Sequence, residues 1–209
     1  MSYSEKQVQI LNTAEKLFAC KGFDGTSVRD IAEAAGINIA MISYYFGSKE
    51  KLMQALFEHR ANTMVLQIES LLKNDQLSPE EKLFVMIESH VDRIFSRQSF
   101  FKIMLSEQLL DKSELIRCHV SSIKQRTIEA IDRLIRHGQD QGAFRPGIDV
   151  PMMMNAITGT VVQSIVGQEF YKNFHQLGEL SPEAFTGQLK ANLLDFLKKF
   201  VKAIVVYEA

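Results

Sequence analysis

Apolar residues recur along this chain at intervals of three and four, the signature of helices with one covered face, and no stretch alternates convincingly as a strand. Ile10, Ala14, Leu17 and Phe18 define a first helix over 5–20 that ends near Gly22, with Phe23 turned back onto it. Val28, Ile31, Ala32 and Ala35 define a short second helix, preceded by the N-cap types Thr26 and Ser27 and closed at Gly36. Asn38 is the N-cap type for a third, which carries Ile39, Ile42 and Phe46 inward and leaves Ala40, Met41, Ser43 and Tyr44 free. A helix that short needs its neighbours to hold it. Two short helices across a glycine turn, the second propped and open on one face, form a helix-turn-helix, whose open face can enter a DNA major groove.

The pattern continues helical to the end. Gly47, Ser48 and Lys49 restart the chain, and Leu52, Ala55, Leu56 and Met64 carry a long helix to about residue 73. After a polar break, Ser78, Pro79, Glu80 and Glu81 supply an N-cap, a first-turn proline and a capping-box glutamate for a helix bearing Leu83, Phe84, Ile87, Val91, Ile94 and Phe95. A short segment follows over 100–110. The next helix, over 113–140, has Ile116, Val120, Ile123, Ile131 and Leu134 on one stripe and ends in a turn-rich run over 141–147. Residues 151–174 are apolar around most of the circumference, and a last helix from Ser181 and Pro182 carries Phe185, Leu189, Leu193, Phe196, Leu197, Phe200 and Ile204. Residues 201–207 are β-prone but prolong that stripe, so they are expected to stay helical. Apolar surface on both sides must be covered, either by this chain's own core or by a second copy packing a four-helix bundle through the last two helices.

The run SVRDIAEAAGINIAMISYYFGSKEKL resembles the N-terminal DNA-binding domain of the TetR family of bacterial transcriptional regulators, over roughly residues 5 to 60. The turn glycine, the aromatic run and the Gly-Ser-Lys helix start all fall in register. The resemblance implies an all-α fold of about nine helices. Residues 1–50 would form a three-helix helix-turn-helix domain and residues 51–209 an effector-binding and dimerisation domain. It implies a homodimer joined through its final two helices, acting on a pseudo-palindromic DNA operator, normally as a repressor. No nucleophile, base and orienting group form a recognisable arrangement, so no enzyme is expected. Without a visible signal peptide the protein is expected to stay in the cytoplasm.

Residue by residue, the resemblance puts Ser27, Tyr44, Tyr45 and Lys49 on DNA phosphates, together with the start of the fourth helix. For Tyr45 the other reading is a ring packed on the first helix. Arg29 falls where a side chain reaches base edges, or else pairs on the surface with Asp30 or Glu33. Asn38, Ile39, Ala40 and Met41 face the groove, although Ile39 is equally a candidate for burial. These groups offer few hydrogen bonds, so thymine methyl contacts and DNA shape carry the readout. Ser43 stands where other members carry a tyrosine.

Composition changes this picture little. At 46% hydrophobic and 23% charged residues with four prolines, the chain reads as an ordinary globular protein. Its formal charge of −1, balanced also within residues 1–60, gives no global sign of nucleic acid, so DNA binding rests on the motif. Cys20 and Cys118 fit neither a redox nor a zinc spacing and are expected to be structural, with a redox-sensing Cys118 as the alternative. No signal peptide or membrane span is visible, and the histidines have no metal spacing. No cofactor is expected.

Nine methionines and fourteen phenylalanines favour a large apolar or amphipathic effector. The candidate lining is Met64, Phe84, Ile87, Phe100, Phe101, Met104 and Ile123, with Arg60, His90 and Gln163 as polar groups; the same residues also suit a plain core. The fourth helix would then act as a rod, changing the separation of two recognition helices that must meet grooves about 34 Å apart. The rival reading is an architectural protein, or one controlled by a protein partner, with no small-molecule pocket.

Overall fold

The computed structural model describes residues 3–110 and 114–206, with side chains other than those of residues 61–63, 107–110, 114–116 and 119. Ile116, His119 and Tyr207 lie outside the described side chains. Ten helices are present among the described residues, and no strand: α1 (Glu5–Lys21), α2 (Val28–Ala34), α3 (Ile39–Phe46), α4 (Lys49–Leu72), α5 (Pro79–Ser96), α6 (Gln98–Leu110), α7 (Glu114–Asp140), α8 (Val150–Val166), α9 (Gln168–Phe174) and α10 (Pro182–Val205). The sequence suggests one helix over 151–174, whereas the chain bends by 72° between α8 and α9. Gly167 makes the break: its N–H donates to Gln163 O at 2.8 Å, and a Cβ there would sit only 3.1 Å from that carbonyl.

The chain divides into two compact units, Met1–Val65 with Arg97–Thr127, and Leu66–Ser96 with Ile128–Ala209. In the first, Ile10, Leu11, Ala14 and Phe18 of α1 meet Ile31, Ala32, Ile42, Phe46, Leu52, Leu56 and Phe57. Phe100, Ile103, Val120 and Ile123 join the same core. Ser4 caps α1 through a reciprocal box with Gln7, and Ser27 caps α2 in the same way with Asp30, so two orphan donors at each helix start are satisfied locally. Glu15 and Arg60 tie α1 to α4 through a pair only 9% and 12% exposed, with 2.7 Å between Nη2 and Oε2.

In the second unit α10 packs on α5 and α8. Leu83, Met86, Ile87, Val91 and Ile94 of α5 are covered, as are Leu189, Leu193, Leu197, Val201 and Val205 of α10. Three lysines of α10 flank this seam: Lys190 on Asp92 at 2.7 Å, Lys198 on Glu88, and Lys202 on Glu80 at 2.6 Å. Their partners descend in number as the lysines ascend, so the two helices run antiparallel. Phe144 is buried against Gly138, where a Cβ would approach its ring to 2.1 Å; this explains the glycine near the end of α7. Arg145 fastens the end of α10, its N–H to Val205 O at 2.9 Å and its guanidinium to Ile204 O and Ala203 O. The last turn therefore stays helical to Val205 despite its β-branched residues. Both cysteines are exposed, so neither is a core thiol; Cys20 falls off the Ile10, Ala14 and Phe18 face of α1.

Candidate nucleic-acid interface

The recognition element is built from its covered face outward. Ile42 and Phe46 are buried in the first unit's core, and burying side chains of this size contributes about 1.5–3 kcal/mol each. Together they hold a helix that could not persist alone. Gly36 turns the chain between α2 and α3 at φ 63°, and Gln9 of α1 donates to Ala35 O at 2.9 Å, locking the turn to α1. Asn38 caps α3, its Oδ1 accepting from Ala40 N at 2.9 Å. Gly47 closes it at φ 81°, its N–H donating to Ser43 O.

What remains outside is the expected groove face. Asn38, Ala40, Ser43 and Tyr44 are exposed, Tyr44 at 83%, and Met41 is half-buried. Ile39 is 45% exposed and is not covered like Ile42 and Phe46, although it shares their stripe, because it is the first residue of the helix, where the core no longer reaches. Tyr45 is half-buried, its ring edge-on to Phe46 with centroids 6.4 Å apart. Its ring therefore serves packing as well as presenting a hydroxyl. Arg29 is exposed and has no ion pair among the described residues. Asp30, the partner considered for it, is engaged by Ser27 and by Lys21 at 3.5 Å. The Ser27 hydroxyl, its backbone N–H and the Lys21 ammonium, in that order of weight, hold the Asp30 carboxyl below the usual carboxylate range.

Two expected phosphate donors are occupied within the fold. Ser27 Oγ donates to Asp30 Oδ2 at 2.5 Å, so its proton must leave the capping box to reach a phosphate. Lys49 is turned inward: Nζ donates to Phe23 O at 2.9 Å and Thr26 O at 3.0 Å, and lies 4.2 Å from the centroid of the Phe23 ring. The start of α4 also has an anion of its own, since hydrogen bonds from Ser48 and from its own N–H hold the Glu50 carboxyl low. Thr26, which sequence reasoning saw only as a capping type, is completely buried. Its hydroxyl contacts Gly22 O at 2.8 Å and Leu17 O at 3.3 Å, while its carbonyl accepts from Lys49. No periodicity marks such a hub. The Ser27 to Asp30 spacing was legible as a capping box, and would have warned that the serine is engaged.

The candidate effector residues are distributed over both units. Arg60, Met64, Phe100, Phe101, Met104 and Ile123 belong to the first, and Phe84, Ile87, His90 and Gln163 to the second. Phe100 and Ile123 are buried in the first unit's core, with Phe101 and Met104 half-buried against it. Arg60 faces α1 and is engaged twice, by Glu15 and by Asn12 Oδ1 at 2.7 Å. Ile87 is fully buried and Phe84 half-buried on α5. His90 Nε2 lies 2.9 Å from Thr158 Oγ1 of α8, and burial, aided by the Arg93 charge, pushes its pKa down to about 4. Gln163 is exposed on α8 and has left the second unit's core, because it lies opposite Ile157 and Val161.

Comparison with known proteins agrees with this architecture. Residues 10–56 match the domain described as bacterial regulatory proteins, tetR family, and residues 79–195 match the tetracyclin repressor-like C-terminal domain. The chain is 24% identical over 160 residues to the fatty acid metabolism regulator protein of Bacillus subtilis (strain 168), covering 77% of this chain and 81% of that one. It is 32% identical over 144 residues to the HTH-type transcriptional repressor NicS of Pseudomonas putida, covering 66% of each. Among solved structures, the transcriptional regulator FadR from Bacillus subtilis in complex with stearoyl-CoA superposes with a TM-score of 0.66 at 21% identity, covering 91% of this chain and 96% of that one. The fold is shared throughout. With the helix-turn-helix matched at one end and more than half of the chain matched beyond it, this protein belongs to the TetR family of bacterial regulatory proteins and is a DNA-binding transcriptional regulator.

Proposed function

We propose that the protein is a homodimeric repressor that leaves a pseudo-palindromic operator when it binds a small apolar or amphipathic effector. The observation that carries this reading is the outward face of α3, where Ile39, Ala40 and Tyr44 stand exposed on a helix fixed from behind by Ile42 and Phe46. An apolar, hydroxyl-bearing face of this kind suits thymine methyls and phosphates better than bidentate base pairs. Arg29 and Tyr44 are the longest of the exposed side chains among the proposed contacts.

A dimer is supported by the second unit's surface. Met152, Val166, Phe170, Phe174 and Phe196 are all exposed large apolar side chains on α8, α9 and α10, with Phe170 and Phe174 stacked at 6.0 Å between centroids. A second copy is the economical cover for such a surface. The repressor named among the relatives, and the neighbour solved with stearoyl-CoA, support repression and an effector with an apolar chain. Such a ligand shifts operator binding only by its differential affinity for the two spacings of the recognition helices.

Selection from a randomised duplex pool tests the DNA half. Enrichment of an inverted repeat with half-sites about one helical turn apart is expected; recovery of no common sequence refutes it. Sedimentation of Phe170→Glu tests the dimer, which is expected to dissociate while the helical content is kept.

A further inference from the structure

Three positively charged or ionisable side chains gather around one carboxylate in the first unit. α4 carries His59 and Arg60, α1 carries Glu15, and Arg97 stands immediately before α6. Glu15 Oε2 accepts from Arg60 Nε at 2.9 Å and lies 2.7 Å from Arg60 Nη2, which also donates to Asn12 Oδ1. Glu15 Oε2 is thus taken by Arg60. Arg97 is half-buried, and its Nη1 is closed off from solvent and has no acceptor among the described residues.

A cationic donor taken out of water without an acceptor is costly, and proteins keep such a group where something completes it. The fields agree with this geometry. Burial and then the Arg60 charge hold the Arg97 guanidinium below its ordinary range, against the pull of Glu15. Burial, Arg60 and Arg97 likewise push His59 down, with Glu15 opposing. Positive charge exceeds negative in this cluster.

The helix that follows has the complementary character. Phe101 N donates to Arg97 O at 3.2 Å, so the helical register reaches back to Arg97. Phe100, Phe101 and Met104 come three, four and seven residues later, the spacing of one helix face. Phe100 is buried against Phe57 with ring centroids 5.3 Å apart, and Phe101 and Met104 are half-buried beside it. A guanidinium at the head of an aromatic stripe matches an anion that carries an apolar chain.

We infer that Arg97, framed by Arg60 and Glu15, is the head-group site for an amphipathic acid, whose carboxylate or phosphate accepts from Nη1 while its chain lies along Phe101 and Met104. This rests on the effector-responsive reading above and adds the chemistry of the ligand's polar end.

The test is calorimetric titration of the full chain, without DNA, with decanoate, decyl phosphate and decan-1-ol. One or both acids are expected to bind at least about tenfold more tightly than the alcohol, a preference within the range of charge-assisted hydrogen bonds, and the better acid names the head group. Arg97→Gln is expected to erase that preference, leave alcohol binding unchanged and melt no lower than the parent, because it removes a donor, Nη1, that has no acceptor among the described residues. Equal binding of acid and alcohol overturns the site, and so does acid binding indifferent to Arg97→Gln. Should that variant fail to fold, Arg97→Lys keeps the charge but loses the planar fork; unchanged acid affinity in it also overturns the site. Operator binding by the unliganded protein is measured separately. Operator bound but acids indifferent to Arg97 removes the site and leaves the regulator, whereas acids bound through Arg97 with no operator found does the reverse.

Discussion

Replacing Lys49 with methionine separates two roles for the residue at the start of α4. In the structure Nζ donates to the carbonyls of Phe23 and Thr26 at 2.9 and 3.0 Å and sits 4.2 Å from the Phe23 centroid. Methionine keeps most of the aliphatic stem and removes the three donors. Each of the two hydrogen bonds comes from a charged donor and is worth about 1.5–3 kcal/mol; Lys49 is itself only half-buried, so the lower end of that range applies. The two sum to about 3 kcal/mol, and the modest cation–π contribution brings the loss to about 3.5–4 kcal/mol. For a chain of this size that lowers the melting temperature by roughly 7–16 °C. The assay is thermal unfolding by circular dichroism, run beside operator binding by fluorescence anisotropy at several salt concentrations. An internal clamp predicts the loss in melting temperature together with an unchanged salt slope. A slope smaller by about 0.9 with the melting temperature intact would place Lys49 on a phosphate and refute the reasoning.

Arg60→Leu removes the hydrogen-bonded partner of the buried Glu15 carboxylate and leaves it facing Arg97, and urea unfolding is expected to show about 1.5–3 kcal/mol less stability. For His90 the native pKa is depressed to about 4 from an ordinary 6.5, so its contribution to stability is fully present above pH 6.5 and is lost as the pH falls through 4. The loss amounts to about 3 kcal/mol, and His90→Gln should flatten that part of the unfolding profile. Tyr44→Ala, at a side chain 83% exposed, should change unfolding by less than about 0.5 kcal/mol while weakening operator binding clearly in anisotropy. Equal losses in both measurements would make it a packing residue.

Most of the helices were legible because burial imprints a period on the sequence. Ile42 and Phe46, Leu83 and Ile87, and Leu189, Leu193 and Leu197 all recur as a covered stripe should, and all are buried. Caps were legible for the same local reason: Asn38 and Ser181 stand within three residues of the N–H groups they satisfy. Polar partnerships across the chain left no such trace. Lys49 meets Phe23 and Thr26 from 26 and 23 residues away, and Arg60 meets Glu15 from 45 away. A lysine and an arginine read along the sequence look like free donors, and only the fold reveals that both are engaged. The division into α8 and α9 was hidden because Phe170, Tyr171 and Phe174 carry aromatic residues on beyond Gly167, and Gly159 lies inside the helix without breaking it. Gln163 is expected among the polar groups of the effector lining, but on a helix with an exposed face the phase of Ile157 and Val161 decides, and it puts the amide outside.

The short helix α3 keeps its anchoring and its reading on separate residues. Ile42 and Phe46 look back into the core, while Ile39, Ala40 and Tyr44 take no part in it. Drift at the outer positions can therefore retarget the protein to a new promoter without eroding the scaffold beneath. A lineage built on this corner can address many unrelated genes with one architecture.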